Sequence, residues 1–248
     1  MREILFENAI ITVRSFNIII ALGFVFTGIY LVRYVAKHKM NLEFLTSHAV
    51  PVLLVAGLAG RLSYFLENLS EFFSRPLSLL LIWDLKFSFF GILAGGLFAI
   101  FYFSRKYQED FWDWLDAFSL SILVMLIFVH LGDFFAGNNY GLPTDLPWGV
   151  SFDTIHIPFV SPIHPTQLYA MLFSIILLIY SNKKGRRIHL SGVVGTKAIM
   201  IYSLGMLGID FLHGAPSFNH KIAYGLLAAV SFIGYIQCTH KTHITNQE

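Results

Sequence analysis

His130 and Asp133 stand three residues apart, and so do Asp210 and His213. On a helix that spacing places both members on one face, where a carboxylate can raise the basicity of an imidazole and fix its tautomer, as a general base requires. The same spacing also makes a satisfied interhelical pair, and both readings stay open. A third cluster is His164-Pro165-Thr166-Gln167-Leu168-Tyr169. Proline suits the first turn of a helix, where its missing N–H is not needed, so His164 and Gln167 are expected to look the same way, either capping the helix or touching a substrate. Arg61, in Gly60-Arg61-Leu62-Ser63-Tyr64, is always charged and grips phosphate in a bidentate fork. A lipid phosphate is its natural partner at bilayer depth, and pairing with Asp133 or Asp210 is the competing account. No H-E-x-x-H or comparable spacing is present, so no metal and no cofactor are expected. The single cysteine, Cys238, excludes an internal disulfide and a cysteine metal cage.

Long apolar runs position these residues. Of 248 residues, 56% are hydrophobic, 16% aromatic and 13% charged, with a mean hydropathy of +0.65; a soluble domain carries roughly twice that charged share. The runs cover approximately 16–35, 44–66, 86–104, 112–135, 165–182, 195–213 and 222–239, near the roughly 20 residues that a bilayer core needs. Hydrocarbon cannot satisfy an open strand edge, so the expected fold is all-α: a polytopic membrane protein of about seven helices, one transmembrane domain over residues 1–248. Residues 1–15 carry Arg2, Glu3, Glu7 and Arg14 among apolar neighbours, as an interfacial helix would. A cleaved signal peptide fits less well, because the basic cluster follows the first run and no small-residue cleavage site does. Gly57 with Gly60, and Gly91 with Gly95, read as small-residue packing faces.

Every second loop is basic. Arg33, Lys37 and Lys39 follow the first run, Arg105 and Lys106 the third, Lys183, Lys184, Arg186 and Arg187 the fifth, and Lys241 the last. Basic loops stay cytoplasmic, so the amino terminus is expected outside, the carboxyl terminus inside, and the 136–164 segment outside as an ordered, proline-containing loop at the interface. This orientation sends Arg61, His130, Asp133, His164, Gln167, Asp210 and His213 to one face of the membrane. Ionisable groups at such depth are costly and usually face a bundle interior or a wet cavity, which marks that face as functional. A transporter fits poorly, because the polar residues stop at one leaflet instead of crossing the midplane. The net charge of +2, spread in short clusters, gives no reason to expect nucleic acid.

Nearly the whole chain resembles the prolipoprotein diacylglyceryl transferase family. Gly141-Leu142-Pro143-Thr144-Asp145-Leu146-Pro147-Trp148-Gly149-Val150 is close to the family's G-x-P-T-x-L-P-W-G-V, and His164 to Tyr169 is close to its H-P-x-Q-L-Y-E. The Arg61 segment is similar to its G-A-R-L-G-Y, and Asp116 precedes the fourth-span motif at the family's distance. Several positions depart. Phe90 replaces the His of S-x-H-G-G-L, and Ile20 replaces a Tyr that follows the position matched by Arg14. In G-R-x-G-N-F-x-N-x-E-x-x-G, His130, Asp133, Ala136 and Asn138 stand for Arg, Asn, Asn and Glu. In Y-G-x-x-R-F-x-x-E-x-x-R, which begins at Tyr202, Met206, Asp210 and His213 stand for Arg, Glu and Arg.

The resemblance implies a bacterial inner-membrane enzyme of lipoprotein maturation that moves a diacylglyceryl group from phosphatidylglycerol, or a similar phospholipid, to the lipobox cysteine in a prolipoprotein signal segment. It implies His130, Asp133, Asp210 and His213 in catalysis. Arg61 and His164 are implied at the lipid phosphate, with Asn138, Gln167 and Tyr169 contacting or positioning substrate. The alternative is a non-enzymatic relative that binds phospholipid or a lipoprotein signal segment.

Overall fold

A computed structural model describes residues 4–7, 12–74, 86–152, 157–185, 191–215 and 218–245. Among these the chain forms β1 (Ile4–Glu7), β2 (Thr12–Arg14), α1 (Ser15–Lys37), α2 (Leu42–Glu67), α3 (Leu69–Ser74), α4 (Phe89–Lys106), α5 (Phe111–Ala136), α6 (Thr166–Gly185), α7 (Val193–Asp210) and α8 (Phe218–Thr245). The amino-terminal residues correct the expected interfacial helix. β1 and β2 pair antiparallel, with Ile4 opposite Arg14 and Glu7 opposite Thr12. Ile10-Ile11-Thr12-Val13 is a run of β-branched residues, stiff at χ1 and better suited to a pleated strand than to a helix.

Among the described residues, six helices are long and apolar enough to cross a membrane: α1, α2, α4, α5, α7 and residues Asn219–His240 of α8. The seventh expected span is α6. Its 20 residues would cover about 30 Å, but it opens on Thr166-Gln167 and closes on Ser181-Asn182-Lys183, polar ends that dilute its hydropathy. Along α2, Leu54, Leu58, Leu62 and Leu66 are all exposed. An apolar stripe of that kind belongs in hydrocarbon.

The chain divides into two compact units, Val35–Leu115 and Met1–Tyr34 with Asp116–Glu248. In the first, Asn41 caps α2 by accepting the Phe44 N–H at 3.1 Å and donates its amide to Glu109 at 2.7 Å. Glu109 also accepts from the indole of buried Trp114 at 3.4 Å. The rings of Phe44, His48, Phe103, Tyr107 and Trp114 fill the space beside this clasp. α4 lies on α2 through small residues: a side chain on Gly91 or Gly95 would run into Ser63, Ala59 and the α2 backbone, and one on Gly60 into Ile92. Gly57, expected in the same face, looks into open space.

In the second unit α7 packs against α6 and α8. α1 lies on α5, with Phe26 stacked on Phe128 at 5.3 Å between ring centres and Gly132 leaving room for Phe16. The start of α7 is capped from another helix. Gly192 precedes it at φ 82° and has no side chain to offer, so the first-turn N–H groups need an acceptor from elsewhere. The Asp116 carboxylate, buried on α5, accepts from Gly192 N at 2.9 Å and from Gly195 N. An anion there also complements the positive end of the helix dipole.

Candidate functional site

The polar residues of the second unit gather where α5 and α7 end and α6 begins. α5 stops in a glycine cap: Gly137, at φ 71°, donates to Phe134 O at 3.4 Å, and Asn138 N donates to Asp133 O at 3.0 Å. These two bonds make a Schellman motif, which turns the chain back over the helix end and delivers Asn138 and Asn139 to the Asp133 side chain. The carboxylate accepts from Asn139 Nδ2 at 2.9 Å and Asn138 Nδ2 at 3.4 Å. Asp133 is buried and therefore needs such donors. Asn139 sits at φ 50°, a conformation that asparagine tolerates better than most residues.

Asp133 therefore turns to the asparagines, and His130 goes elsewhere, so the expected His130–Asp133 pair does not form. Buried His130 meets the hydroxyl of buried Tyr202, on α7, at 3.1 Å between Nε2 and Oη. The Asp210–His213 pair does form, at 3.6 Å between Oδ1 and Nδ1. Burial lowers the basicity of His213, and the nearby Asp210 charge opposes that shift. His213 lies in the turn after α7, where its backbone bridges Gly141. Leu142 N donates to Leu212 O at 2.8 Å and Gly214 N to Tyr140 O at 2.9 Å.

α6 begins at Thr166, so His164 precedes the helix, and the shared face expected of His164 and Gln167 does not exist. Thr166 Oγ1 donates to Asn139 O at 2.6 Å and Gln167 Nε2 donates to Asn138 O. His164 instead turns to Tyr169, with Nδ1 at 3.2 Å from Oη. Tyr169 Oη accepts from the Trp148 indole at 2.8 Å, and its single proton is then free for His164 Nδ1. Gly141 has no room for a side chain, because a Cβ would strike the His164 carbonyl.

The described residues of the loop that follows α5 are held by backbone bonds. Val150 and Ile163 exchange N–H···O bonds, both at 3.0 Å, and Thr144 N donates to Pro162 O at 2.9 Å. The two most specific sequence segments, Gly141–Val150 and His164–Tyr169, are fastened to each other by His164 N, which donates to Leu142 O at 2.9 Å, and by the Trp148–Tyr169 bond. Asn139 and Tyr202 belong to this cluster without having been singled out by spacing. An asparagine in a loop and a tyrosine in an apolar span each look ordinary alone.

Arg61 lies in the first unit, buried on α2. Its Nη1 donates to the Lys86 carbonyl at 2.7 Å, and its guanidinium lies 5.1 Å from the Phe65 ring centre and 5.6 Å from that of Phe87. The Lys86 ammonium stands 5.8 Å from the Tyr64 ring centre, which adds a second cation to this corner. Beside it Ser88 Oγ donates to Glu67 at 2.7 Å.

Comparison with known proteins decides the family. The family model described as prolipoprotein diacylglyceryl transferase matches residues 3–239. The chain belongs to this family. Relatives named phosphatidylglycerol–prolipoprotein diacylglyceryl transferase include one from Clostridium tetani, 28% identical over 220 residues that cover 88% of each chain. One from Prochlorococcus marinus is 30% identical over 230 residues, 83% of this chain and 76% of the relative. A third, from Solidesulfovibrio magneticus, is 33% identical over 177 residues, 68% of this chain and 64% of the relative. Family membership and the apolar helices together make this a multi-pass bacterial membrane protein.

Proposed function

We propose that this chain transfers a diacylglyceryl group from phosphatidylglycerol, or a similar phospholipid, to the lipobox cysteine of a prolipoprotein, working at the outer leaflet of the bacterial inner membrane as a single transmembrane domain. In that reaction a C–S bond forms between the cysteine sulfur and a glyceryl carbon. The C–O bond to phosphate breaks, glycerol phosphate leaves with the electron pair, and a base takes the thiol proton. The site must therefore hold a phosphate and receive a proton. Arg61 and His164 serve the phosphate. His130, oriented by Tyr202, and His213, beside Asp210, are the proton acceptors, while Asp133 acts through Asn138 and Asn139 by holding the loop that meets Gln167. The observation that carries this reading is the fastening of the Gly141–Val150 and His164–Tyr169 segments to the α5 and α7 ends that bear the histidines and carboxylates.

The test is to incubate the purified protein with phosphatidylglycerol and a lipobox peptide and to follow the peptide by mass spectrometry. A diacylglyceryl thioether and free glycerol phosphate are expected; their absence under conditions where an authentic transferase turns over overturns the reading. A second reading is favoured by Met206, which is buried where the family pattern carries an arginine, and by Phe90. Losing one positioned donor typically costs ~10²- to 10³-fold in rate. On this reading the chain binds phospholipid or a signal segment without turnover. Binding without thioether formation, together with failure to complement loss of the transferase, selects it.

A further inference from the structure

Leu146-Pro147-Trp148-Gly149 closes a tight turn, in which Gly149 N donates to Leu146 O at 2.9 Å. Proline second and glycine fourth suit such a turn. Its two large side chains are both exposed, Leu146 at 41% and Trp148 at 56%. The indole N–H, which would otherwise seek water, is already bonded to Tyr169 Oη at 2.8 Å. What Trp148 still offers is an apolar ring. Val160 is 99% exposed. It stands three residues before Ile163, whose side chain is buried and whose backbone is tied to Val150, and Pro162 O accepts from Thr144 N. The turn and Val160 therefore belong to one pinned platform.

The level of that platform in the bilayer follows from α8. Its apolar part begins at Asn219. Lys221, in its first turn, holds its ammonium 4.5 Å from the centre of the exposed Phe211 ring. A lysine over an aromatic ring at the mouth of a span marks the head-group level. Phe211 adjoins Leu212, whose carbonyl accepts from Leu142 N, so the platform springs from that level. Lysine or arginine charge does not hold it there, because neither residue occurs between Lys106 and Lys183. Isolated exposed leucines are ordinary, but apolar side chains gathered on a pinned loop beside an apolar span mark a membrane contact.

We propose that Leu146, Trp148 and Val160 enter the leaflet that borders these helix ends, with exposed Asp145 left in water, and that apolar burial alone holds the platform there. The partner is a phospholipid leaflet of any head-group charge. The Trp148–Tyr169 and Tyr169–His164 bonds then tie the depth of the turn to that of the His164 segment. The contact does not depend on turnover, so it stands apart from the transfer reading.

The experiment is spin labelling of the full-length protein, with Cys238→Ser as background, in phosphatidylcholine bilayers. Nitroxides are placed by Leu146→Cys, Val160→Cys and Asp145→Cys, and Leu58→Cys on the exposed stripe of α2 gives the hydrocarbon reference. Access to oxygen, which concentrates among acyl chains, is compared with access to a water-soluble nickel complex. At Leu146 and Val160 the oxygen-to-nickel ratio is expected several-fold above that at Asp145 and shifted toward that at Leu58. It should not change when anionic lipid or high salt is added, since apolar burial is not screened. Emission that disappears with Trp148→Phe should be quenched by brominated acyl chains. Ratios at Leu146 and Val160 equal to that at Asp145 would put the platform in water and overturn the inference. So would release of the labels by salt, the mark of a charged contact. Shielding from both reagents, with spectral broadening that magnetic dilution removes, would seat a second copy there instead and overturn it equally.

Discussion

Arg61 is held by the Lys86 carbonyl and by two aromatic faces, which fixes a planar fork in one orientation. If that fork grips a lipid phosphate, Arg61→Lys keeps the charge but loses the bidentate geometry, and Arg61→Met loses both. Phosphatidylglycerol affinity is expected to fall modestly in the first and about 10- to 100-fold in the second, on the scale of hydrogen bonds to charged groups; equal affinity in all three proteins would remove the phosphate role. His213 allows a prediction in pH. Its basicity in the folded protein is lowered, chiefly by burial, so its contribution to stability is complete above its ordinary value of about 6.5 and is lost as pH falls through the lower folded value. His213→Gln should therefore flatten the decline of melting temperature below about pH 6.5, and parallel curves for the two proteins would contradict this. At this scale the residue types were legible and the partners were not. The spacing of His130 and Asp133 named both residues, but whether they meet depends on a glycine cap that brings two amides to the carboxylate first.

Helices α5 and α7 are joined twice, by Asp116 at the start of α7 and by His130–Tyr202 further along. Asp116→Ala would leave the Gly192 and Gly195 N–H groups without this acceptor in a buried place. A loss of about 1–3 kcal/mol is expected, read as a lower melting temperature in detergent, with Asp116→Asn intermediate because its side-chain oxygen can serve one donor. An unchanged melting temperature for Asp116→Ala would show that the helix start is satisfied otherwise. The helices themselves were legible from hydropathy, with ends wrong by a few residues. α4 starts at Phe89, and α7 stops at Asp210 rather than 213. The amino-terminal ribbon was missed because scattered charges among apolar residues were weighed above a run of β-branched ones. The cap on α7 could not be seen, since it joins residues 76 apart and no periodicity reports a contact of that range.

At the scale of the molecule, membrane residence follows from composition, and orientation rests on the loops. Lys183 and its neighbours are expected in a cytoplasmic loop, while Asp145 lies on the segment expected outside. With Cys238, the single cysteine and a buried one, replaced by serine, a cysteine at Asp145 should react in intact cells with an impermeant thiol reagent and one at Lys183 should not. Labelling at Lys183 alone would invert the protein and carry the site to the cytoplasmic leaflet.

The carboxylate that caps α7 from α5 also imposes an order of events on biosynthesis. Asp116 is made well before Gly192, and the separation of 76 residues occupies a ribosome for about 4–15 s at ~5–20 residues per second. Throughout that interval α5 waits with its acceptor in place, and α7 completes its first turn only by finding it. The helix that carries Tyr202 and Asp210 is thus seated late, against a receptor laid down earlier, and a nascent chain halted before residue 192 holds a buried acceptor whose two donors never arrive.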